Sequence, residues 1–260
     1  MTSDYISESV LDNSGFTMQK WQEISQDPND PKLLELRQAE IMAGRQANLV
    51  SDRVAYLSEL ARGKVVLDVG MVEHFLDAHE NSEWLHRHLA SSAASCLGVD
   101  ILETETRKLA EAGFNVVAAD LTREPLDQQF DLIVAGEVLE HVDAPGKFMK
   151  NCAAMLRPDG RLAITVPNPW YVNAVLKSAL RSQTFVDSAD HVCWYDASTL
   201  VELGQRNGLR LLKFVGIAVR KPKKIGAKLF FSLRPLMVAC GLSPLLFAKS
   251  IIYEFGPLRP

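Results

Sequence analysis

Strand-like and helix-like stretches alternate through the middle of this chain, and no other feature limits its fold as tightly. The runs "KVVLDV" (64–69), "CLGVD" (96–100), "FNVVAAD" (114–120), "FDLIVAG" (130–136) and "GRLAITVPN" (160–168) are short and apolar, and helix-like stretches around 82–94, 103–112 and 145–157 separate them. Such alternation predicts crossover units and a doubly wound, mostly parallel α/β sheet with helices on both faces. A helix-like stretch to about Arg181, a polar loop to His191, a helix near 197–207 and strands at 209–219 and 250–256 complete the pattern. Ligands of such sheets lie beyond the carboxyl ends of the strands, so the residues closing each run carry the functional expectation: Asp68, Asp100, Asp120 and Glu137.

The flanks read differently. Residues 1–30 are polar and unpatterned up to "SQDPNDP", which predicts a flexible arm or lid. Over 31–62, Leu34, Ile41, Leu49, Val54, Leu57 and Leu60 recur at mostly helical spacings broken near Gly44, so this segment is expected to form a cap of one broken helix or two short ones. With 47% hydrophobic and 23% charged residues, the 260-residue chain can bury a sizeable core, and its net charge of -4 disfavours bulk nucleic-acid binding. Cys96, Cys152, Cys193 and Cys240 are too scattered for a zinc knuckle or a disulfide framework. They read as reduced thiols of a cytoplasmic protein, and the start "MTSDYISESV" does not have the pattern of a signal peptide.

"KVVLDVGMVEHF" begins like a nucleotide-binding turn, yet Met71, Val72, Glu73 and His74 stand where a phosphate cradle needs bare backbone. An Asp closing a strand commonly caps the next turn, and three on successive strands are harder to assign to that role alone. Asp100 ends the second strand, where an acid accepts both hydroxyls of a ribose. Asp120, followed by Leu121, is placed to accept from an adenine amino group. What the crevice lacks is a site for a pyrophosphate.

The ordered set "VVLDVG", "GVDI", "AADL", "FDLIVAGEVLEHV" and "MLRPDGRLAITVPNP" resembles the class I S-adenosylmethionine-dependent methyltransferases over roughly residues 60–256. Within them it looks most like bacterial enzymes that O-methylate sugars and other small hydroxylated metabolites, and "EVLEH" is similar to ubiquinone-biosynthesis O-methyltransferases. The resemblance implies a Rossmann-like sheet of seven strands with the last antiparallel. It assigns Asp68 and Gly70 to the methionine part of S-adenosylmethionine, Asp100 to the ribose hydroxyls and Asp120 with Leu121 to the adenine; Ile101 is also expected to bind the cofactor, and Glu137, if not a metal ligand, to bond its edge. It also implies a methyltransferase domain formed by 63–219 and 249–260, interrupted by an insertion at 220–248. S-adenosylmethionine has no phosphates, so one close backbone approach at Gly70 can suffice. The family usually carries further glycines there, and Glu73 and His74 then serve the substrate side or simply form a solvated loop.

In "GEVLEHV", one helical turn would set Glu137, Glu140 and His141 on one face. With His191 as a fourth ligand they suit Mg2+ or another divalent metal. Small-RNA 2′-O-methyltransferases, which this segment resembles, use an ExxEH segment and a later histidine for a metal that would bind vicinal hydroxyls. Two other roles stay open: His141 or His191 as a metal-free general base, or hydrogen bonding that closes the loop. His79, His86 and His88 read as polar surface or half-buried packing.

"PNPWYVN" and "DHVCWYD" offer Trp170, Tyr171, Trp194 and Tyr195, for an acceptor ring or for the core. The insertion is basic at Arg220, Lys221, Lys223, Lys224 and Lys228, then apolar from Leu229. Its longest uncharged run, Pro235–Ala248, falls short of the about 20 residues that a membrane span needs. It fits peripheral contact with the inner membrane face, or packing on its own domain or in a homodimer. The expected activity is O-methyl transfer to a sugar, a glycan (lipid-linked if the anchor reading holds) or a small hydroxylated metabolite. A non-catalytic binding or scaffold protein with a degenerate cofactor loop is the alternative, and a nicotinamide oxidoreductase is a weaker third because its diphosphate would need the missing glycines.

Overall fold

The computed structural model describes Trp21 and residues 24–72, 81–181, 185–218 and 232–258. Seven strands form one sheet: β1 Val65–Val69, β2 Ser95–Asp100, β3 Val116–Ala118, β4 Phe130–Gly136, β5 Leu156–Pro167, β6 Leu209–Ala218 and β7 Ala248–Pro257. Their order is β3-β2-β1-β4-β5-β7-β6, and only β7 runs antiparallel to its neighbours β5 and β6. This is the expected seven-stranded fold. The order reverses between β1 and β4, and there the crossovers diverge and open a crevice at the carboxyl edge.

The central strands are apolar on both faces because both are covered. In β4, Ile133 and Ala135 join Phe148, Met149 and Cys152 of helix α5 (Pro145–Ala154) in one core. Leu132 and Val134 face Leu57, Leu85 and Leu89 of helices α2 (Arg53–Ala61) and α3 (Leu85–Ser92) in another. The expected strand at 114–120 shortens to β3, whose Val117 is half exposed; a short strand limits the open edge of the sheet. The final strand extends beyond its expected 250–256 because β7 pairs along both sides.

The interrupted cap resolves into α1 (Pro31–Gly44) and α2. Asp30 and Asp52 start them, accepting from the backbone N–H groups of Lys32 and Ala55, and Pro31 adds its preset φ to the first turn of α1. Gly44 lets α1 close on β6, since a Cβ there would stand 2.8 Å from Leu211 Cδ2. Helices α4 (Glu103–Glu111), α6 (Val172–Arg181), α7 (Ala197–Arg206) and α8 (Arg234–Ala239) complete the layers. Among the described residues no helix is long and apolar enough to cross a membrane. The basic start of the insertion, and Glu73, His74 and His79, lie outside the described residues.

Candidate active site

The loop after β1 answers for its missing glycines with side chains. Gly70 takes φ +71°, and a Cβ on it would stand 2.4 Å from Val138 Cγ2, so both conformation and space demand glycine. Its N–H donates to Val99 O at 2.8 Å. Beyond it, Trp84 Nε1 donates to Met71 O at 2.8 Å and Val72 N donates to Asp100 Oδ2 at 3.0 Å. A buried indole and a strand-end carboxylate therefore fix the turn that a glycine-rich loop would fix by its own backbone.

Asp68 lies on the α3 face of β1, almost wholly buried, and His86 Nδ1 sits 3.0 Å from its Oδ2. Burial raises the Asp68 carboxyl above the usual range, and the His86 hydrogen bond pulls it back. This corrects the surface or half-buried expectation for His86: its ring is buried, packed on Trp84 and Phe114 with centroids 5.1 and 6.3 Å away. His88 is half-buried, bonded to Ser82 O. The signal for His86 was its place beside Leu85 and Leu89 on the sheet-facing side of α3.

Asp100 closes β2 and is nearly buried, with each oxygen taking one backbone N–H, from Val72 and from Leu102. A carboxylate has about four lone-pair sites, so acceptor capacity remains for a diol. Ile101, at 68% exposure, and Leu102 put bare apolar surface beside it, which suits a flat base. Asp120 caps its own turn: Oδ1 accepts from Thr122 N and Oγ1, and Oδ2 pairs with Arg123. These bonds, the Thr122 hydroxyl first, hold its carboxyl below the usual range. The Leu121 side chain belongs to the core, and its carbonyl accepts from Asn151.

At the end of β4, Glu137 has φ +61°, a strained value for a residue with a side chain, and its N–H donates to Thr165 O at 2.9 Å. Among the described residues its buried Oε1 has no hydrogen-bond partner. A 3-10 turn at Leu139–His141 follows, and Val192 N and Cys193 N donate to Glu140 O, which ties the turn to the segment carrying His191. Among the described residues, both Glu140 carboxylate oxygens and His191 Nδ1 are buried without a partner. Burial, helped by neighbouring Glu137, pushes the Glu140 carboxyl up to about 8.

Ligand atoms of Glu140, His141 and His191 lie within 4.8 Å of one another. Glu137, expected among the metal ligands, is not part of this group. Among the described residues these three oxygen and nitrogen atoms lie unpartnered in one spot, an arrangement that costs free energy unless water or a ligand meets them. Their donor set, carboxylate plus imidazole, fits a divalent cation. Asp190 was missed by sequence reasoning: its Oδ2 lies 3.0 Å from His141 Nδ1 and orients that ring. So was Arg53, whose charge draws both Asp68 and Glu140 down against burial.

Of the four aromatic residues, Tyr195 is core, Trp170 is exposed, and Tyr171 and Trp194 line a cavity of about 320 Å³ beyond β5. Ring contacts run from His141 to His191 at 4.8 Å and from His191 to Trp194 at 6.0 Å, so the cavity adjoins the cluster.

The strand order, the glycine turn after β1 and the acid ending β2 define a class I methyltransferase fold. The chain belongs to the methyltransferase-domain family, whose profile matches residues 42–213. A ubiquinone biosynthesis O-methyltransferase of Coxiella burnetii (strain Dugway 5J108-111) is 30% identical over 179 residues, 64% of this chain and 72% of that protein. One from Salmonella paratyphi A is 26% identical over 170 residues, 58% and 68% of the two chains. Among solved structures, a SAM-dependent methyltransferase from Archaeoglobus fulgidus superposes with a TM-score of 0.52 at 18% identity, covering 78% of this chain and 90% of that one. The chain is thus a methyltransferase whose cofactor is S-adenosylmethionine, and the scaffold and nicotinamide readings fall.

Proposed function

We propose that this chain transfers the methyl group to a hydroxyl on a ring that carries a neighbouring hydroxyl, with a divalent cation held by Glu140, His141 and His191. The observation that carries this reading is the buried, unpartnered Glu140 carboxylate with two imidazoles at the carboxyl end of β4, beside an aromatic-walled cavity. The relatives' names, ubiquinone biosynthesis O-methyltransferase, favour the small hydroxylated metabolite among the acceptors expected from sequence over the sugar or glycan, and we read that metabolite as phenolic.

S-adenosylmethionine, when bound, supplies a methyl group already activated on a sulfonium. The chain's own residues then have two tasks: holding the cofactor, by Gly70, Asp100 and Ile101 with Glu137 at its edge, and aligning and deprotonating the acceptor. The cation would bind both acceptor hydroxyls and acidify one, and Asp190 behind His141 would fix that ligand's ring. A second reading uses the same His141–Asp190 pair without metal, His141 taking the proton itself.

Turnover of a catechol by chelator-treated protein separates the two. Loss of activity restored by Mg2+ or Mn2+, and a Glu140→Gln variant that no longer responds to the cation, support the metal reading. Full activity after chelation overturns it in favour of the histidine base. If neither catechols nor vicinal-diol sugars are methylated while S-adenosylhomocysteine binds, the acceptor class proposed is wrong.

A further inference from the structure

The cavity beyond β5 has a charge that methyl transfer to a neutral ring does not use. Lys177 from α6 and Lys249 from β7 both line it, in a chain whose net charge is -4. Asp187, also in its wall, lies 3.8 Å from Lys249, a loose pairing that leaves the cavity one positive charge in excess. Lys177 has no acidic partner among the described residues, and its Nζ stands 5.4 Å from the Phe185 ring centroid. Asn168 contributes no free donor, because its Nδ2 serves Leu245 O and Ala248 O and its Oδ1 accepts from Trp170 N.

We propose that this cavity is the acceptor's anion site: Lys177 and Lys249 hold a carboxylate or phosphate carried by the acceptor, while Tyr171, Phe185 and Trp194 flank its ring. Three observations support it. Both lysines, though exposed, line the same concave space, so an anion seated there meets positive charge from two elements, α6 and β7. The walls are aromatic, with the Phe185 and Trp194 centroids 6.2 Å apart. And Trp194 also contacts His191, so a ring in the cavity lies next to the residues that would act on its hydroxyl. That last step rests on the function proposed above, whereas the anion site itself does not.

The test therefore uses ligands without hydroxyls to methylate. Protein saturated with S-adenosylhomocysteine is titrated with benzoate, phenyl phosphate and neutral benzyl alcohol, and binding is followed through the Trp194 indole resonance. At least one anion is expected to bind tenfold or more tightly than the alcohol, and the stronger of the two names the group. Lys177→Met and Lys249→Met should each weaken that anion about fivefold or more and leave both benzyl alcohol and S-adenosylhomocysteine affinity unchanged. Asp187→Asn should strengthen it by removing the competing carboxylate. Equal affinity for all three ligands, no binding of any, or lysine variants that keep the anion preference would each overturn the proposal. Anion binding without methylation of any hydroxylated acceptor would instead refute the function proposed above and leave the anion site standing.

Discussion

Gly70 shows how much one position can decide. Alanine there meets two separable penalties: about 1 kcal/mol for a side chain at positive φ, and about 1–3 kcal/mol for forcing a methyl against Val138. Gly70→Ala should therefore lower the melting temperature and weaken S-adenosylhomocysteine binding at least tenfold. Adding Val138→Ala should recover the packing share but not the conformational one, which calorimetry on the single and double variants resolves. Wild-type cofactor affinity in Gly70→Ala would mean that the turn does not shape the site. Asp100→Ala is expected to weaken the same ligand by well over tenfold, since it removes a diol acceptor and frees the Val72 N–H that ties down the loop. An unchanged dissociation constant would refute the ribose assignment. Both residues were legible in the sequence, as the glycine after a strand and the acid ending the next. The burial of His86 was signalled by its leucine neighbours, but its pairing with Asp68 and that of Asp190 with His141 were not, because such partners are revealed only once the chain is folded.

At the scale of elements, the contact between α1 and α7 is built from polar groups. Arg37 donates to Glu40, to Gln205 at 2.7 Å and to Glu202, Gln205 Nε2 donates to Glu40, and Trp21 Nε1 reaches Glu202 at 3.3 Å. Helical periodicity reads an apolar stripe through Leu34 and Ile41, yet Leu34 is 55% exposed and the buried positions of α1 are Leu33, Glu40 and Gly44. Hydrophobic spacing could not reveal a docking face made of a carboxylate and a glycine, although it did place the break near Gly44 that leaves two helices rather than one broken one. The network has a pH signature. Burial pushes the Glu40 carboxyl up to about 7 from an ordinary value of 4.5, only partly opposed by Arg37. Between those values the folded chain holds a proton that the unfolded chain has released, so this group's contribution to stability falls as pH rises through that window and is lowest above pH 7. Urea denaturation at pH 5 and pH 8 should show the wild type losing about 1–3 kcal/mol relative to Glu40→Gln across the interval. Parallel pH dependence in the two proteins would show that Glu40 titrates normally.

Across the whole molecule, the reversal of strand order between β1 and β4 divides the carboxyl edge into two halves. The β1–β2 side carries Gly70, Asp100 and Ile101, joined by Glu137, which follows β4 where that strand pairs with β1; the β4–β5 side carries the Glu140–His141–His191 group and the cavity. Alternating strands and helices made the sheet and this edge readable from sequence, because a doubly covered sheet needs near-continuous apolar strands and leaves its polar residues at their ends. The metal-like group was readable only in part: spacing brought Glu140 and His141 together, but the 3-10 turn and the strained backbone at Glu137 kept Glu137 out of it. If the halves are separate working units, they should fail separately. Saturating wild-type protein with S-adenosylhomocysteine at about 100 times its dissociation constant adds about 2.7 kcal/mol, a rise of about 5–10 °C in melting temperature for a chain of this size. His141→Ala should keep that rise nearly whole while losing turnover, because His141 serves the acceptor side. Asp100→Ala at the same ligand concentration should lose most of the rise, because the concentration no longer exceeds its dissociation constant by a wide margin. A His141→Ala protein that also lost the cofactor-induced shift would show that the 3-10 turn supports cofactor binding, and the division of the edge into cofactor and acceptor halves would have to be abandoned.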